Sequence, residues 1–319
     1  MSPAVIALRA RQDESEFGRA LLVGLSRMPK RIPSKFFYDA AGSELFERIT
    51  ELPEYYPTRV ELGLLETHAG EIAALIGPDA ELIEFGAGSL RKVRLLLDAM
   101  ERPRAYLPID ISGEYLLDMA RTLEREYHRL RVHPVITDFT KPVAVGALTI
   151  GASRRIGFFP GSTIGNFTPP NAVAFLRNAR RTLDGGPLLI GADLIKDPAA
   201  LHAAYNDCEG ITAAFNKNLL GRANRELGAD FDLDAFAHYA CYNPLAGKVE
   251  MYLISMARQR VQICGEIVDF ALGEAIHTED SHKYTLAGFR ALAAEAGYAP
   301  RRVWTDAAGL FSVQWLESV

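Results

Sequence analysis

The chain has 319 residues, 49% of them hydrophobic and 24% charged, which supplies apolar material for one or two well-cored domains. A formal net charge of −5 leaves no basic excess of the kind that recruits nucleic acid or an anionic membrane surface, so neither partner is expected. Cys208, Cys241 and Cys264 are odd in number and form no C-x-x-C pair, which argues against a disulfide frame or a zinc cluster and for a reducing, cytoplasmic setting.

In chain order, the first residues through Gly18 hold no long apolar stretch and carry Asp13, Glu14 and Glu16, so they do not read as a signal peptide. No window approaches the roughly 20 apolar residues of a membrane span. Glu81–Phe85 reads as a strand ending at Gly86. Val93, Leu96, Leu97 and Met100 follow at helical spacing. Ala105–Asp110 is a second strand, with Pro108 predicting an irregular or edge-like stretch. Ser112 is a candidate N-cap for a helix to about Tyr127. Strands are predicted at Val132–Thr137, Ile156–Phe159 and Leu188–Ala192, with a helix opening on Pro169. This rhythm predicts a parallel sheet with helices on both faces, whose ligands sit at the carboxyl ends of the strands.

The rhythm breaks after Asp193. A long helical region is predicted over about 198–220, then a polar stretch to Asp234 and two antiparallel strands, Val249–Ser255 and Val261–Phe270. A helix capped by Thr285 and stopped by Gly297 precedes final strands at Arg302–Thr305 and Phe311–Leu316. The expected fold is α/β: a Rossmann-like domain over 60–195 and 285–319, with a second, discontinuous α+β domain over 1–59 and 196–284 that binds substrate.

The loop Glu84-Phe85-Gly86-Ala87-Gly88-Ser89-Leu90-Arg91 lets backbone approach a ligand, because glycine has no Cβ. A dinucleotide fingerprint needs a third small residue where Arg91 stands, which disfavours a nicotinamide cofactor. The loop suits a ligand without pyrophosphate, such as S-adenosylmethionine. Asp110 can accept from both ribose hydroxyls, Asp138 can take the adenine amino group, and Phe139 can pack on the ring. Taken singly, the loop also reads as a plain structural turn, and either aspartate as a helix cap.

Several stretches resemble the histidine-specific N-methyltransferase family of ergothioneine biosynthesis. They are Lys35–Asp39, Gly42–Glu47, Leu52–Arg59, Phe158–Phe167, Ala213–Asn216 and Thr278–Tyr284, and the likeness covers essentially the whole chain. The resemblance implies cofactor contacts at Gly86, Gly88, Lys92, Asp110, Asp138 and Phe139. It implies that Tyr56, Asn166 and Tyr205 hold the carboxylate and α-amino end of L-histidine, and that Glu279 and Ser281 read its imidazole. By the same resemblance, Tyr38, Phe46 and Met251 are expected as further pocket walls. Ser89-Leu90 departs from the family's usual Thr-Ser, which removes side-chain contacts expected from position 90.

The implied reaction is transfer of methyl groups from S-adenosylmethionine to the histidine α-amine, three times, to give N-α-trimethylhistidine (hercynine). Such an in-line displacement leaves a neutral group and needs no metal; positioning supplies most of the catalysis. Asn166 and the tyrosines would orient the amine, with Tyr38 the candidate proton acceptor. A monomer is expected. Other readings are a relative acting on a tryptophan derivative and a cofactor-binding protein without turnover. Without the resemblance, Tyr56 reads as an aromatic corner, Asn166 as a left-handed turn residue, Tyr205 and Met251 as core, and Glu279 and Ser281 as caps of the helix after Thr285.

Overall fold

A computed structural model describes residues 15–145 and 154–319. The expectation made for Asp13 and Glu14 lies outside the described residues. The chain divides into two compact units: Met1–Phe37, Ala213–Tyr239 and Met251–Glu279 form one, and Tyr38–Thr212, Ala240–Glu250 and Asp280–Val319 form the other. Among the described residues, no helix is long and apolar enough to cross a membrane.

The larger unit is built on an eight-stranded sheet. Its long strands are β1 (Ala80–Phe85), β2 (Ala105–Asp110), β3 (Arg154–Phe159) and β4 (Leu188–Asp193), joined by β6 (Tyr298–Thr305) and β7 (Phe311–Ser318). β1 pairs in parallel with β2 and β3, and β3 with β4, while β7 lies antiparallel between β4 and β6. β1 and β4 are buried along their whole length, as a sheet covered on both faces demands. Two cores result. Ile72, Leu82, Val93, Tyr106 and Trp315 pack on one face, and Phe85, Leu107, Phe159, Phe175 and Ile190 on the other.

The stretch expected to be one strand, Val132–Thr137, is instead two short ladders on β2, Arg131–Val132 and Val135–Ile136. Pro108 lies in the gap between them, opposite Pro134, so a residue with no N–H sits where no ladder bond is asked of it. Ser112 does precede the helix α3 (Gly113–Glu126), which follows α1 (Tyr56–Ile76) and α2 (Leu90–Ala99), but its side chain makes no capping bond. Its hydroxyl donates instead to the Tyr38 carbonyl at 3.3 Å. α4 (Pro169–Thr182) opens on proline as expected.

The long helix expected over 198–220 is two, α5 (Pro198–Tyr205) and α6 (Ile211–Leu227). Asp207 breaks it: its carboxylate accepts from the N–H groups of Ile211 and Thr212 at 2.7 and 2.8 Å and starts the second helix. Among the described residues three strands went unread: the short Lys30–Arg31, Phe236–Asn243 and β5 (Ala275–His282). The expected strand at Val261–Phe270 is a hairpin, Gln259–Ile263 with Glu266–Phe270, turning at Cys264 and Gly265, both at positive φ. In the smaller unit that hairpin contributes Phe270, whose ring packs on those of Phe231 and Phe236. α7 (Leu286–Glu295) is capped by Thr285, whose hydroxyl accepts from Gly288 N–H, and ends before Gly297 at φ 83°.

Candidate active site

The carboxyl ends of β1 and β2 carry the features expected of the donor site. Gly86 adopts φ 73° and its N–H donates to the Ile109 carbonyl, so the turn after β1 is tied to β2. A Cβ on Gly86 would stand 3.3 Å from the Phe139 ring, whereas one on Gly88 would meet open space. Phe139 packs edge-on to Phe159 and Phe175 at centroid separations of 5.7 and 5.9 Å. Asp110 ends β2; its Oδ1 accepts from Ser112 N–H at 2.8 Å, and burial raises its pKa above the usual carboxylate range. Asp138 follows the second short ladder and accepts from the Thr140 N–H at 3.0 Å.

Around this turn lie buried charged residues, among them Glu61, which the sequence did not single out. Glu84 is buried within β1, accepts from the Tyr106 hydroxyl at 2.5 Å, and is pushed up by burial to about 8. Lys92, expected at the cofactor, lies 2.5 Å from the buried carboxylate of Glu61, which also accepts from Gly161 N–H at 2.9 Å. Leu90 packs with Ala87, Leu116 and Met119, so the departure from the family's Thr-Ser is an apolar helix start. These residues fit a nucleoside-type ligand. Carboxylates follow two neighbouring ladders, an aromatic ring lines the glycine turn, and backbone at Gly88 is open to close approach.

At the end of β4 lies a second group of residues, knit together by hydrogen bonds. Tyr56, Tyr205 and Ser281 are all nearly buried. The Tyr56 hydroxyl donates to the Asp193 carboxylate at 2.8 Å, and the Tyr205 hydroxyl donates to Ser281 Oγ at 2.7 Å. Lys283 Nζ reaches Asp193 at 2.8 Å, Tyr205 Oη at 2.9 Å and Ser281 Oγ at 2.8 Å. Lys196 Nζ reaches Tyr56 Oη at 2.6 Å, Asp193 at 2.5 Å and the Leu194 carbonyl. Burial works to raise the Asp193 pKa, but the two ammonium groups outweigh it and hold the carboxyl below its ordinary value. Burial pushes Tyr56 well up, so its phenol stays protonated.

Asn166 closes a short helical turn, Thr163–Asn166, and it is Ser162, not Asn166, that takes the left-handed conformation. The turn lies against β5: His282 Nδ1 is 2.9 Å from the Gly165 carbonyl, and a Cβ on Gly165 would fall 2.7 Å from the His282 carbonyl oxygen. Glu279 and Ser281 do not cap the following helix; both lie in β5, two residues apart and therefore on one face of it. Glu279 is buried. Met251 is buried in the strand Lys248–Ser255, and its carbonyl accepts from the Thr278 hydroxyl at 3.1 Å. The Tyr38 and Phe46 rings meet edge-on at 5.7 Å, and Phe46 meets Tyr55 likewise at 6.3 Å.

Asp193, Lys196, Lys283 and Glu61 are the charged residues missed. Asp193 was within reach of the strand-end rule that picked Asp110, since β4 runs one residue past the expected Ala192.

A mostly parallel sheet with a glycine turn after one strand and carboxylates after its neighbours defines an α/β protein of the S-adenosylmethionine-dependent methyltransferase class. The family model described as histidine-specific, S-adenosylmethionine-dependent methyltransferase matches residues 17–318, and the chain belongs to that family. The chain is 44% identical over 301 residues to a histidine N-alpha-methyltransferase of Mycolicibacterium smegmatis, covering 92% of each chain. It is 42% identical to the Mycobacterium tuberculosis protein of the same name, again covering 92% of each. A 4-dimethylallyltryptophan N-methyltransferase of Aspergillus fumigatus is 28% identical, covering 95% of this chain and 94% of that one.

Proposed function

We propose that this enzyme methylates the α-amino group of L-histidine three times, producing N-α-trimethylhistidine for ergothioneine biosynthesis. The observation that carries the reading is the likeness, over nine-tenths of both chains, to two histidine N-alpha-methyltransferases, against markedly lower identity to the tryptophan-directed relative. Buried polar chemistry supports it. Ser281 Oγ accepts from Lys283 Nζ at 2.8 Å, and its own proton suits an unprotonated imidazole nitrogen. Glu279 favours an N–H on the other ring nitrogen. An indole offers an N–H but no ring nitrogen to accept from Ser281, and an apolar side chain offers neither, a mismatch that a polar site rejects.

In this reading Asp110 takes the ribose hydroxyls, Asp138 the adenine amino group, and the Gly86–Gly88 turn admits the donor. Bound S-adenosylmethionine supplies an electrophilic methyl group on a sulfonium. Tyr56, Tyr205 and Asn166 hold the amino acid's carboxylate and turn its nitrogen toward the donor; Tyr38 and Phe46 wall the space in which the amine rotates between transfers. The acceptor amine must be neutral and aligned, so the protein's task is orientation and proton removal, with Tyr38 the candidate proton acceptor. No metal is assigned a role. We assign the donor to 60–195 with 285–319 and the acceptor to 1–59 with 196–284 joined by Asn166, a functional partition that follows ligands rather than packing. A monomer working in the cytoplasm completes the proposal.

The test is donor consumption by the purified chain with histidine or tryptophan as acceptor. Turnover with histidine and none with tryptophan is expected; the reverse overturns the assignment.

A further inference from the structure

The group at the end of β4 holds two buried cations and one buried anion. Asp193, Lys196 and Lys283 have side chains 1%, 5% and 1% exposed, so the cluster carries a surplus positive charge that water does not screen. A buried surplus charge is costly unless something completes it. Each ammonium has three N–H bonds, and all six are spent. Two go to Asp193 and one to the Leu194 carbonyl; the other three go to the hydroxyls of Tyr56, Tyr205 and Ser281. Neither lysine can therefore reach a ligand directly, but each donates to the oxygen of a tyrosine whose own proton can rotate.

Resting on the amino-acid reading above, we propose that Lys196 and Lys283 polarise the hydroxyls of Tyr56 and Tyr205 and supply the charge that selects a ligand carboxylate. When a carboxylate arrives, the phenolic protons turn to it from Asp193 and Ser281, while each lysine keeps its hydrogen bond to the tyrosine oxygen. Asp193 stays neutralised by both ammonium groups throughout. A donor that is itself accepting from a cation is a stronger donor, because the chain of bonds polarises cooperatively. The same positive charge disfavours protonation of the ligand's amine, which must be neutral to react. Lys196 and Lys283 are thus positioning residues that act through the tyrosines. They require the acceptor to carry a free carboxylate and discriminate against its amide.

The experiment is calorimetry on protein saturated with S-adenosylhomocysteine, titrated with 3-(imidazol-4-yl)propanoate or with its neutral amide. The wild type is expected to prefer the acid, and Lys196→Met to reduce that preference roughly tenfold while binding the amide as before. Equal weakening of both ligands would show a structural role only and overturn the proposal. Binding of neither to the wild type would count against the histidine reading itself.

Should Lys196→Met not fold, the wild type alone decides. Burial depresses Lys196 to about 8, with Asp193 and, more weakly, Asp306 opposing that fall and Lys283 adding to it. As pH rises through that value the cluster loses its surplus charge, so the preference for acid over amide must shrink between about pH 7 and 9.5. Titration of the imidazole affects both ligands and cancels in the ratio. A preference constant over that range contradicts the proposal.

Discussion

The ends of β1 and β2 and the end of β4 belong to one sheet but solve different problems. At β1 and β2, single, mostly buried acidic groups stand beside a glycine turn, each accepting from a backbone N–H two residues away. At β4, two lysines, one aspartate and three hydroxyls are closed on one another, drawn from positions between 56 and 283. The first arrangement leaves acceptor oxygens for a ligand and costs little to assemble. The second removes charge from water and holds it only because every group has a partner. Binding and stability should therefore separate between the two regions.

The largest effect is expected from Asp193→Ala. It strands two buried ammonium groups, which costs about 3–5 kcal/mol, and a denaturant melt reads it directly. A loss under ~1 kcal/mol would show the cluster to be far more hydrated than its burial implies. Next is Asp110→Asn, which keeps the turn to Ser112 but removes an acceptor. Calorimetry should find S-adenosylhomocysteine bound roughly tenfold more weakly with the denaturation midpoint little changed. A large midpoint shift with unchanged binding would erase the contrast.

Gly86→Ala forces a side chain into φ 73° beside Phe139 and should lower stability by about 1–2 kcal/mol, with donor binding weakened as well. The most specific effect concerns Glu84. Burial raises its pKa to about 8, so the folded protein holds a proton that the unfolded chain has released above about 4.5. Its stabilising contribution is present at low pH and is lost as pH rises from that point through about 8. Glu84→Gln should flatten this decline in a series of melts; an unchanged slope would mean that Glu84 is ionised in the fold.

The same contrast explains what could be read in advance. The glycine turn, Asp110 and Asp138 follow strands whose apolar runs are plain, so a local rule located them. Pro108 was correctly marked as irregular, although the irregularity proved to be a gap between two short ladders rather than an edge. The break at Asp207 was missed because an aspartate that starts a helix looks, by composition, like one inside it. β5 was missed because its residues Thr278–His282 are mostly polar, and only their partners make a buried polar strand tolerable. Lys283 sat within a stretch noted for its resemblance, yet nothing local says that a lysine there is 1% exposed against Asp193. Charge networks closed across a hundred residues or more carry no sequence period.

The acceptor and the number of methyl groups it receives define the activity proposed for this enzyme. The most direct measurement is the mass of the product formed from histidine and S-adenosylmethionine over time, with fragmentation to locate the added groups. Gains of one, two and then three methyl groups, all on the α-nitrogen, are expected. Methylation of the imidazole ring, or an unchanged histidine beside a methylated tryptophan, would contradict it.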